Sequence, residues 1–80
     1  MSKQSKLAWR CRRGMKELDL VMEGYLRRHY AYAAVEEQLA FEALLDQQDP
    51  LLYAYVTGRA EPEDPGQQRV VAKLRRVMQS

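Results

Sequence analysis

Four breaks constrain this chain more than anything else in it: Gly14, Asp49-Pro50, Gly58 and Asp64-Pro65. Glycine reaches φ > 0 without steric cost and so ends helices. An Asp-Pro pair does the opposite, since Asp caps a helix N-terminus and Pro suits the first helical turn. Between these marks the apolar residues recur at helical spacing, with no β-alternation, internal repeat or low-complexity tract. The chain is therefore predicted to be all-α, a compact five-helix bundle forming one domain over residues 1–80, with 1–5 as a flexible tail.

The first helix is expected from Lys3 to Arg13, with Leu7, Ala8 and Cys11 on a narrow apolar stripe. Trp9 falls outside that stripe, on the side of Arg12 and Arg13. After Gly14 a second helix is expected from Met15 to Tyr30, burying Met15, Leu18, Met22, Tyr25 and Leu26. Glu17 and Asp19 lie in its first turn and Arg27, Arg28 and His29 near its end, as the helix dipole favours. A third helix over Ala34 to Gln47 should bury Leu39, Phe41, Leu44 and Leu45. A fourth, capped by Asp49, should run from Pro50 to Thr57 with Leu52, Tyr55 and Val56 inward. Asp64 should cap the fifth, which ends near Met78 and buries Val70, Val71, Leu74, Val77 and Met78, with Arg69, Lys73 and Arg76 on its other side.

Size and composition exclude much. Eighty residues bury only about 60% of the unfolded chain's surface, too little for both a core and a large enclosed active site. Hydrophobic residues at 46% and charged residues at 30% suit a folded, soluble domain. Cys11 is the one cysteine and His29 the one histidine, so neither a disulfide framework nor a zinc-site spacing exists. Cys11 and the methionines Met15 and Met22 fall at core positions. There is no G-x-G-x-x-G or P-loop pattern for a nucleotide. No apolar run approaches the roughly 20 residues of a membrane span, and Met1 to Lys6 lack the apolar stretch of a signal peptide. A cytoplasmic, non-enzymatic, monomeric protein that holds no cofactor or metal of its own is expected.

The chemistry concentrates at the first break, Trp9-Arg10-Cys11-Arg12-Arg13-Gly14-Met15-Lys16-Glu17-Leu18-Asp19. The net charge is only +2, but six cations from Lys3 to Lys16 precede the first acid, Glu17. Such clusters steer acidic partners or bind phosphates, or simply form solvated helix faces. Arg13 offers a planar guanidinium suited to bidentate contacts. Gly14 leaves room for another backbone, and Glu17 follows Arg13 by one helical turn. Two readings of Arg13 and Glu17 stand side by side: a pair that staples two helices across the glycine, or a surface for a partner.

The Arg-Gly-x-x-Glu pattern at Arg13, Gly14 and Glu17, with Trp9 before it and Leu18-Asp19 after it, resembles the signature of the SdhE/YgfY family. Asp49-Pro50-Leu51-Leu52-Tyr53-Ala54-Tyr55 is similar to that family's acidic-Pro-x-Leu-aromatic-x-aromatic segment. Tyr55 stands where the family usually has Trp, Ala54 where it often has Asp or Asn, and Ala34 and Val35 replace its usual polar residues. The resemblance implies a small helical assembly factor that binds the flavoprotein subunit of succinate dehydrogenase, and that of fumarate reductase, and promotes covalent attachment of FAD. It implies contacts to that subunit from Arg13, Gly14 and Glu17, with Trp9, Arg12, Lys16 and Asp19 as neighbours. FAD would be the partner's cofactor. The bond would form when a histidine of the subunit attacks the 8α carbon of a quinone-methide-like flavin tautomer. In that tautomer the methyl group has given up a proton, and the ring takes up the electron pair on attack, the factor contributing positioning alone. The rival reading is a small basic nucleic-acid-binding or antitoxin-like module, against which stand the low net charge and the lack of a helix-turn-helix pattern.

Overall fold

The computed structural model describes residues 2–79; Met1, within the expected tail, and Ser80 lie outside the described residues. Among the described residues five α-helices follow one another: α1 Lys3–Arg10, α2 Lys16–Arg28, α3 Val35–Leu45, α4 Asp49–Val56 and α5 Pro65–Gln79. A 3₁₀ turn, Tyr30–Tyr32, separates α2 from α3. No strand occurs among the described residues. The all-α, five-helix expectation holds.

The helix ends differ from the sequence expectation for local reasons. Helix α1 begins at Lys3, as its spacing predicted, because the Ser2 hydroxyl accepts the Ser5 N–H at 3.1 Å and caps it. At its other end α1 stops at Arg10, not Arg13. The Arg12 N–H turns to the Trp9 carbonyl, and the Arg13 N–H leaves the ladder for the Asp19 carboxylate at 2.6 Å. Helix α3 stops at Leu45, since the Asp46 and Gln47 N–H groups bond three residues back in a tightened last turn. Gln48, not Asp49, is the N-cap of α4, and it makes no side-chain cap. Asp64 does cap α5, accepting the Gln67 N–H at 2.9 Å.

Helices α2 and α5 pack along one another, with α3 and α4 against α5 and α1 against α2. Leu7, Cys11, Leu18, Met22, Tyr25, Leu26, Phe41, Leu44, Leu52, Val56, Val70, Val71 and Leu74 form the core, joined by Val21, Tyr30, Ala40 and Leu45. Tyr25 and Phe41 stack with ring centroids 4.5 Å apart. Ala8, Met15, Tyr55 and Met78 are half-buried against this cluster.

Leu39, expected inside, is 57% exposed. The buried stripe of α3 is Glu37, Ala40, Phe41, Leu44 and Leu45, a regular i, i+3, i+4, i+7, i+8 series. Leu39 lies on the far side of it. The charge of Glu37 conceals that stripe in the sequence. Inside, its carboxylate accepts from the Tyr25 hydroxyl at 2.6 Å and from Lys73 Nζ at 2.8 Å, as a buried charge requires. Lys73 is accordingly turned inward rather than lining an outer face. Among the described residues no buried side-chain polar atom lacks a partner.

Candidate functional site

The corner between α1 and α2 is built by its own backbone demands. Gly14 stands at φ +87°, where an L side chain is strained. Nothing lies within 4 Å of the place a Cβ would occupy, so conformation, not crowding, requires glycine. Asp19 reaches back from the first turn of α2 to hold the Arg13 N–H, tying the corner to the helix that follows.

Arg13 itself points inward, with its side chain only 15% exposed. Its Nε donates to Asp49 Oδ1 at 2.5 Å, Nη1 to the Leu45 carbonyl at 2.8 Å and Nη2 to the Gln47 carbonyl at 2.5 Å. Carbonyls at a helix C-terminus have no partner inside the helix. Arg13 therefore closes the end of α3 and grips the first residue of α4 at once. Arg10 adds an outer ion pair to Asp46 in the same turn. The Arg13–Glu17 pair, one of the two readings of the sequence, does not form, because this cluster of oxygens on the α3–α4 turn engages the whole guanidinium.

What remains outside is an edge of different character. Trp9 is 65% exposed. The Arg12 guanidinium stands 5.8 Å from the Trp9 ring centroid and 3.9 Å from the Glu23 carboxylate, within cation–π range. Ser5, Ala8, Trp9, Arg12 and Glu23 line a shallow groove there. Lys16 and Glu17 are exposed, and their side chains form no hydrogen bond or ion pair among the described residues. Of the seven residues singled out in the sequence, Trp9, Arg12, Gly14, Lys16 and Glu17 face solvent, while Arg13 and Asp19 brace the corner from within.

Sequence reasoning missed Asp49 as the counter-charge of Arg13. Its place before Pro50 imitates a cap, and no local spacing links positions 36 residues apart. Exposed Leu20 beside Glu17 was also missed. Elsewhere, burial pushes the Cys11 thiol up to about 12, with the Glu23 charge adding to it, so this cysteine is an inert core residue. No group of three or more His, Cys, Asp or Glu among the described residues could hold a metal ion. No helix among the described residues is long and apolar enough to cross a membrane.

The fold is a small helical domain that presents one edge of aromatic, cationic and carboxylate side chains to solvent. The chain belongs to the family described as the flavinator of succinate dehydrogenase, whose model matches residues 5–78. A protein of Methylococcus capsulatus named FAD assembly factor SdhE is 49% identical over 78 residues, covering 98% of this chain and 94% of that one. The protein of the same name from Coxiella burnetii is 36% identical over 72 residues, covering 90% and 88%. That from Legionella pneumophila strain Lens is 43% identical over 60 residues, covering 75% and 76%. No solved structure gives a significant match.

Proposed function

We propose that this protein is an FAD assembly factor: it binds the flavoprotein subunit of succinate dehydrogenase and promotes covalent attachment of FAD to it. The flavoprotein subunit of fumarate reductase is a second client of the same kind. The observation that carries this reading is the division of labour at the corner. Arg13, Asp19 and Asp49 hold the bend from within, which leaves Trp9, Arg12, Lys16 and Glu17 displayed on a fixed scaffold. Preorganised contacts of this kind lose little entropy on association.

The chemistry belongs to the partner. FAD and the histidine that receives it lie on the flavoprotein subunit. This chain holds that subunit in a reactive arrangement, converting an improbable encounter into a positioned one. It acts as a monomer in the cytoplasm and keeps no FAD of its own.

The test is flavin incorporation into the flavoprotein subunit, read as in-gel flavin fluorescence in cells lacking the endogenous factor. Wild type should restore the fluorescent band. Trp9→Ala with Glu17→Ala should not, although the doubly substituted protein melts like wild type. Full flavinylation with that folded variant would refute the corner as the working surface. Failure of wild type to restore the band would refute the function.

A further inference from the structure

An apolar cleft opens where α2 meets the end of α5, lined by Glu17, Leu20, Val21, Val77 and Met78. Its shape follows from Gly24. A Cβ at Gly24 would stand 2.7 Å from Val77 Cγ1, so the bare glycine is what lets the end of α5 seat directly on α2. Val21 forms a buried floor, Met78 a half-buried wall, and Leu20 a rim that is 57% exposed.

The cleft adjoins the corner along α2. Residues three and four apart are neighbours on a helix surface, which places Leu20 beside Lys16 and Glu17 on one side and Glu23 on the other. Glu23 is the carboxylate that faces Arg12 and, through it, Trp9. Helical spacing thus places the groove beside Trp9 and the cleft next to one another along α2, Glu23 lining the one and Leu20 the other, with the Glu17 carboxylate at the mouth of the cleft.

We infer that this cleft takes an apolar side chain of the flavoprotein subunit, and that Glu17 takes an Arg or Lys from the same segment of that subunit. This rests on the assembly-factor reading above and names the chemistry of its partner. An apolar anchor in a pocket, ringed by polar contacts that exclude water, is how interfaces concentrate their affinity. A carboxylate at the rim selects a cation, most strongly through the fork of an arginine. A second copy of this chain fits less well, since a two-fold interface through the cleft would bring two Glu17 carboxylates into the same contact.

Binding of the purified apo flavoprotein subunit to wild type, Leu20→Ser, Glu17→Gln, Trp9→Ala and Leu39→Ser, measured by calorimetry, tests this. Leu39 is also 57% exposed but sits on α3, away from the cleft. Leu20→Ser should weaken binding by about tenfold or more with an unchanged melt. Glu17→Gln should weaken it and alter its salt dependence, and Leu39→Ser should do neither. If Leu20→Ser binds as tightly as Leu39→Ser while Trp9→Ala is impaired, the cleft is overturned and the corner stands. Self-association of wild type that Leu20→Ser abolishes would overturn it in favour of a second copy. If wild type does not bind the subunit at all, both readings fall.

Discussion

Replacing Arg13 by alanine should damage the fold before it damages any contact with a partner. The guanidinium makes three hydrogen bonds of 2.5–2.8 Å, two to main-chain carbonyls and one to a carboxylate. Hydrogen bonds to charged groups contribute about 1.5–3 kcal/mol each, and removing one partner of a buried pair costs about 3–5 kcal/mol. Asp49 is a third exposed, so water reaches it and softens the loss. The Leu45 and Gln47 carbonyls can relax outward too. A net destabilisation of about 2–4 kcal/mol is expected, which lowers the melting temperature of a domain this size by about 10–25 °C. Thermal and urea unfolding followed by circular dichroism would measure it. Asp49→Ala should reproduce much of the effect, and the double variant should fall well short of the sum, as coupled neighbours do. A loss below about 1 kcal/mol for Arg13→Ala would refute the clamp, because that is the scale of an exposed ion pair. The consequence expected for function is specific: Arg13→Ala should lose flavinylation together with stability, whereas Glu17→Ala should lose it while fully folded.

Gly14→Ala should fold yet lose about 1 kcal/mol in urea titrations, since the added Cβ meets no neighbour but φ +87° strains it. Leu74→Ala, at a fully buried position, should cost about 2–5 kcal/mol, seen as a large drop in the thermal midpoint. Acid should also unfold the protein through Glu37. Burial pushes its carboxyl up, but the hydrogen bonds from Lys73 and Tyr25 and the charges of Lys73 and Arg69 outweigh this and hold it below its ordinary value. A depressed folded-state pKa contributes stability above the unfolded value of about 4.3 and loses it as pH falls through the folded value. Melting temperature should therefore decline on acidification below about pH 5, and the decline should be shallower in Glu37→Gln.

The sequence alone determined the helices and the place where they bend. Asp64-Pro65 capped α5 as expected, and Gly14 adopted the positive φ that its position demanded, because caps and turns are governed by residues a few positions apart. The edge of Trp9, Arg12, Lys16 and Glu17 was legible for the same reason. Only the tertiary structure decided which members of the Arg-Gly-x-x-Glu pattern face solvent and which is turned inward. Arg13 and Asp49 meet across 36 residues, and no periodicity records whether a guanidinium finds Glu17 one turn away or the orphan carbonyls of a helix packed against it. The same holds for Glu37 and Leu39. A charged residue went in and an apolar one came out because Tyr25 and Lys73, brought by α2 and α5, compensate the buried carboxylate. Long-range compensation of charge is the information that a one-dimensional pattern of polarity does not carry.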